Sequence, residues 1–214
     1  MNTELYYFSG TGNSLHAARE LQRRLPETTL VPLLAALRES APRSHAERVG
    51  IVFPIHAFTA PAVVIRFLAR IDLSAASYLF ALATRECSDR TFMDVERALA
   101  PADRRLDASF AVEMVCTYVP MFRIPSKKRI DALDKRLATR LDHIAETVAA
   151  QKPERVRDHP LVHVLGHWLY PPITRWYQRK RFPDMARKFY ADGDCTRCGT
   201  CARVCPASRI DVGA

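Results

Sequence analysis

Short apolar runs recur along the first half of the chain, each followed by apolar positions at helical spacing. Leu5-Tyr6-Tyr7-Phe8 reads as a strand, and Leu15, Ala18, Leu21 and Leu25 mark one face of the helix after it. Residues 28–33 form a second strand pattern. Residues 49–53 are a continuous apolar run that Pro54 ends, and 63–71 is helical in spacing. Residues 78–83 repeat the apolar run, 91–99 repeat the helix, and 109–115 supply a fifth strand. Ile130, Leu133, Leu137, Leu141, Ile144 and Val148 make one stripe of a long amphipathic helix over 127–150. Unbroken apolar strands are those of a parallel sheet buried on both faces. Strands alternating with helices predict an α/β fold, a doubly wound parallel five-stranded sheet. Ligands of such sheets sit beyond the carboxyl ends of the strands, which here means segments 9–14, 54–61 and 84–90.

The first of these segments carries a chemical signature. Ser9-Gly10-Thr11-Gly12-Asn13-Ser14 joins the first strand to the first helix. Two glycines let backbone approach an anion closely, N–H groups at the helix start face it, and the helix dipole favours its charge. The side chains of Ser9, Thr11, Asn13 and Ser14 add donors. The loop has no lysine and lacks the third glycine, so it is neither the triphosphate loop nor the dinucleotide fingerprint. It predicts a phosphate cradle rather than an ordinary capped turn.

A second signature lies near the C-terminus. Cys195, Cys198, Cys201 and Cys205, with Pro206 behind them, follow the C-x2-C-x2-C-x3-C-P spacing of bacterial iron–sulfur proteins. Zinc sites more often use two C-x-x-C pairs well apart in the chain. In two-cluster proteins the fourth cysteine of one run ligates the other run's cluster. No second run follows Pro206, so Cys195, Cys198 and Cys201 lack an evident fourth partner. Cys87 and Cys116 lie far away in sequence and are expected to be buried inert thiols.

Together, Tyr7-Phe8-Ser9-Gly10-Thr11-Gly12-Asn13-Ser14 and the Cys195–Pro206 run resemble the flavodoxin–ferredoxin fusion family of bacteria and archaea, whose members usually carry two cluster runs. The resemblance implies a flavodoxin-like domain holding FMN over residues 1–150, a basic aromatic connector over 151–187, and a ferredoxin-type 4Fe-4S segment over 188–214. It implies that Ser9, Gly10, Thr11, Gly12, Asn13 and Ser14 bind the FMN phosphate. It also implies that segments 54–61 and 84–90 grip the ring, with His56 and Phe58 as stacking candidates and Thr84 and Arg85 at the second segment. Arg85 would face an anionic reduced flavin or, more simply, solvent. Related chains tend to have glycines in the second segment, and this one has none there.

Composition adjusts the picture in three places. Of 214 residues, 26 are arginine and 6 lysine, giving a net charge of +9, densest over 175–188. That patch would steer an acidic redox partner. No nucleic-acid module accompanies it, so no nucleic-acid partner is expected. Cysteines at ligand spacing need a reducing compartment, and Asn2-Thr3-Glu4 leads straight into a strand, so a cytoplasmic location is expected. No apolar stretch is long enough for a transmembrane span. The connector reads as apolar and aromatic up to Tyr170, with Pro171 and Pro172 expected to stop any helix. Trp168, Trp176 and Tyr177 are expected to pack on the body and hold the cluster segment, in preference to a peripheral membrane contact. His159, His163 and His167 share helical spacing and are expected to be surface histidines rather than a metal site.

No nucleophile–base pair stands out, so the function favoured is an electron-transfer protein passing single electrons between a 4Fe-4S cluster and FMN. The alternatives are a flavin-dependent oxidoreductase reducing a small acceptor and a truncated, non-redox scaffold.

Overall fold

The computed structural model describes residues 1–85, 91–118, 122–156, 168–187 and 189–211. Cys87 and the rest of 86–90 lie outside them, as do His159, His163 and His167. Five strands form one parallel sheet: β1 (Thr3–Tyr7), β2 (Thr28–Pro32), β3 (Arg48–Pro54), β4 (Tyr78–Arg85) and β5 (Ala108–Glu113), in the order β2-β1-β3-β4-β5. The reversal of winding direction falls between β1 and β3, where such sheets bind ligands.

The period-two alternation of the central strands sends side chains to two separate cores. Val49, Ile51 and Phe53 of β3 and Leu79, Ala81 and Ala83 of β4 point to one face. There they meet α2 (Leu33–Ala36), α3 (Ala62–Leu68) and α4 (Thr91–Leu99). Val52, Tyr78, Phe80 and Leu82 point to the other, against α1 (Asn13–Arg24) and α5 (Lys127–Ala149). The predicted stripe of α5 is buried from Leu133 onward, with Leu137, Leu141, Ile144 and Val148 packed against the sheet, while Ile130 at its start stays half-buried. Gly50 sits in register between Leu5 and Phe80. A Cβ there would lie 2.4 Å from the Phe80 ring and 2.5 Å from Leu5 Cδ2, so two large side chains share the space that glycine leaves.

Several boundaries differ from the sequence reading. Pro32 ends β2 and Leu33 already begins the short α2, while β4 runs on to Arg85. The larger correction concerns the connector. Pro171 and Pro172 lie in the first turn of a helix, Tyr170–Trp176, which continues through a π turn at Tyr177–Arg181 into Phe182–Ala186. At the first helical positions proline lacks only an N–H that has no intrahelical acceptor, and its fixed φ is already helical. Among the described residues no helix is long and apolar enough to cross a membrane.

Candidate functional site

The loop after β1 is held open from below and from both sides. Phe8 N–H donates to the Val52 carbonyl (2.9 Å), continuing the sheet one residue beyond β1. Gly12 N–H donates to Ser9 Oγ (3.1 Å), closing the turn. Gly12 then caps α1 with φ +102°, a conformation that favours glycine. The first helical bond runs from His16 N–H to the Gly12 carbonyl (2.8 Å). The N–H groups of Asn13, Ser14 and Leu15 therefore have no acceptor within the helix. Built Cβ atoms on Gly10 and Gly12 would meet nothing within 4 Å, so the loop's outer surface is open space.

The loop's polar side chains do structural work as well. Ser14, 1% exposed, hydrogen-bonds Thr84 at the end of β4 (2.8 Å). Asn13 Nδ2 donates to the Val115 carbonyl (2.7 Å), and Thr11 hydrogen-bonds Thr117 (2.8 Å). The loop is thereby tied to the end of β4 and to the segment after β5, which sequence reasoning did not single out. The structure brings Ser9, Gly10, Thr11, Gly12, Asn13, Ser14 and Thr84 together. Arg85 ends β4 beside them, where its carbonyl accepts from Met114 N–H (3.1 Å).

The turn after β3 forms a second rim. His56 and Thr59 exchange backbone hydrogen bonds (2.9 and 3.2 Å) around Ala57 and Phe58, both at positive φ (+48° and +67°). Two non-glycine residues in that region hold strain of order 1 kcal/mol each. Thr59 Oγ1 donates to Asp94 (2.6 Å), and Thr174 Oγ1 donates to the Ala57 carbonyl (2.7 Å), fixing the turn from both ends. His56 is exposed, its ring edge-on to Phe8 (6.2 Å) and to Phe182 (6.4 Å). Desolvation there lowers its pKa below the usual 6.5. Phe58 stacks on Tyr170 (4.4 Å, 15°), so one of its ring faces is occupied by the connector.

The connector helix thus straps the two rims together. Tyr170, Thr174 and Phe182 meet the turn after β3, and at the far end Tyr118 OH donates to Met185 Sδ (2.9 Å), one residue beyond Thr117. The residues of this segment that meet the body are thus Tyr170, Thr174, Phe182 and Met185, whereas the expectation named Trp168, Trp176 and Tyr177. It does not hold for Trp168 and Trp176, which are 81% and 50% exposed.

Loop and donor set fit a phosphate monoester. Open backbone, helix-start N–H groups and hydroxyls converge, and α1 has no acidic residue in its first turn. FMN is the flavin with such a group.

The cysteine run is placed differently. Cys195, Cys198 and Cys201 are exposed and Cys205 half-buried, around a five-residue helix, Thr200–Val204, that Gly199 caps at φ +70°. Hydrogen bonding from Thr200 holds Cys198 below the ordinary thiol pKa, and backbone N–H groups of Arg209 and Ala207 do the same for Cys205. The number, type and spacing of thiols suit an iron–sulfur cluster. Among the described residues, however, no group of three or more histidine, cysteine or acidic side chains stands close enough to hold a metal ion. Small metal modules acquire their fold with the metal.

No protein-family model matches the chain, and no curated protein does. Similar solved structures include rubredoxin oxygen:oxidoreductase from the anaerobe Desulfovibrio gigas, with 14% identity and a TM-score of 0.39 over 70% of this chain and 37% of that one. A flavodoxin from the domain Archaea has 9% identity and a TM-score of 0.41 over 68% of this chain and 99% of that one. A flavoprotein from Bacteroides uniformis has 16% identity and a TM-score of 0.38 over 63% and 97%. The chain therefore spans little more than a third of the first and nearly all of the other two. Strand order, parallel register and helices on both faces make the fold of the sheet region flavodoxin-like, doubly wound α/β.

Proposed function

We propose that this protein is a flavin-binding electron carrier. The observation that carries the reading is the open Ser9–Ser14 loop at the start of α1, beside the point where the sheet reverses its winding. In this reading Gly10 and Gly12 admit the FMN phosphate, and the N–H groups of Asn13, Ser14 and Leu15 donate to it with the hydroxyls of Ser9 and Thr11. Ser14 and Thr84 hold the loop's floor, while Asn13 and Thr117 hold its side. His56 stays neutral at its lowered pKa and borders the ring site with Phe8, and Phe58, pinned by Tyr170, sets that site's outer limit. Thr84 and Arg85 border the ring from the end of β4. FMN, when bound, supplies one-electron and two-electron redox chemistry; these residues orient it and exclude water around it.

Cys195, Cys198, Cys201 and Cys205 are proposed ligands of a 4Fe-4S cluster on the strength of their spacing. A redox protein with an acidic surface is the proposed exchange partner, because the chain carries a net charge of +9. The test is the content of FMN, iron and acid-labile sulfide in anaerobically reconstituted protein, with an absorbance spectrum. One FMN with about four iron and four sulfide per chain supports the whole reading. FMN without stable iron leaves the flavin half alone, and no FMN overturns the reading.

A further inference from the structure

The strap has an outward side that its packing leaves uncovered. Tyr170 and Thr174 turn inward onto Phe58 and Ala57. At helical spacing, the opposite side carries Trp168 (81% exposed), Leu169 (48%) and Trp176 (50%), with Arg175, Arg179 and Lys180 exposed among them. No acidic residue occurs between Trp168 and Pro183. A recess of about 770 Å³ between α3, α4 and the strap runs along one flank, with Arg66 and Arg97 on its walls. Among the described residues on its walls the one carboxylate, Asp94, already accepts from Thr59 and pairs with Arg97.

Single exposed apolar residues need no account, but two indoles on one ridge among cations do. Indole rings favour the headgroup level of a bilayer, where the ring meets apolar chains and its N–H stays wet. Arginine and lysine beside them attract anionic headgroups. A helix of this length and charge lies along an interface instead of crossing it. Its apolar side chains stand 48–81% exposed among the cations, which suits a deformable lipid surface better than a folded acidic partner. We propose that the strap's outward face, Trp168 to Lys180, docks this protein on an anionic membrane surface.

The chain's two tryptophans are both on this face, so intrinsic fluorescence reports the contact directly. The full chain is titrated with vesicles of phosphatidylcholine alone and of phosphatidylcholine containing about one-third phosphatidylserine, with co-sedimentation in parallel. A blue shift and co-sedimentation with the anionic vesicles, both weakened by salt, are expected. R175Q/R179Q/K180Q should bind more weakly by on the order of 100-fold, at about 5-fold per cation. R175K/R179K keeps the charge and should keep the binding, which separates a charge effect from a folding defect. Absence of any shift with anionic vesicles overturns the proposal, as does equal binding to both compositions. A shift that needs no vesicles and tracks protein concentration overturns it in favour of a second copy on this face.

Discussion

Replacing Ser14 by alanine or Thr84 by valine should each destabilise the fold, and replacing both should largely restore it. The two hydroxyls lie 2.8 Å apart, and their residues are 1% and 5% exposed. Either single change leaves the other hydroxyl without its partner in a site closed to water, which costs about 1–3 kcal/mol. Thr84→Val preserves shape and Ser14→Ala removes one atom, so neither opens a sizeable cavity. The double variant leaves an apolar pair of nearly the original shape, which is close to neutral. For a chain of 214 residues, each kcal/mol moves Tm by about 2–4 °C. The singles should melt roughly 2–12 °C lower and the double within a few degrees of the parent. Urea and thermal unfolding followed by circular dichroism, without added flavin, give the double-mutant cycle. A double variant destabilised by the sum of the singles would refute the reasoning, because the hydroxyls would then act independently.

Gly12→Ala places a side chain at φ +102°, so FMN affinity should fall by about 10-fold or more, read by quenching of flavin fluorescence. Gly50→Ala drives a methyl into Phe80 and Leu5; a loss of about 1–3 kcal/mol is expected in urea unfolding, with partial rescue by Phe80→Leu. Desolvation holds the pKa of His56 below 6.5, so the unfolded chain takes up its proton first as pH falls. Stability should drop from about pH 6.5 downward, and His56→Asn should flatten that part of a stability–pH profile. Ala57→Gly, normally destabilising, should here be neutral or stabilising by up to about 1 kcal/mol, because Ala57 sits at φ +48°; a lower melting temperature would count against the strained turn.

The sheet was legible because its strands are apolar on both sides and its helices striped. Both patterns are local, so 49–53 and 78–83 identified β3 and β4 without tertiary information. The phosphate loop was legible for the same reason, since Gly10, Gly12 and the hydroxyls are contiguous. What joined the loop to its surroundings was not legible. Thr117, the Val115 carbonyl and Thr84 reach Ser9–Ser14 only after the chain has wound through the whole sheet. The strap was misread where local rules carry two meanings: Pro171 and Pro172 forbid a helix interior but favour a helix start. Phe58 was expected to offer its ring to a ligand, yet Tyr170, remote in sequence, already covers one side of it.

The Tyr118–Met185 contact also sets a leash. Met185 is held beside the phosphate loop's supporting segment, and about 35 Å of fully extended chain at most leads from it to Cys195. A tether this short keeps the thiols at an effective concentration of order millimolar around the sheet's carboxyl edge. Whatever those cysteines bind would meet that edge in a first-order process, indifferent to dilution of the protein. Cutting the chain between Met185 and Cys195 would turn the same encounter into a second-order one.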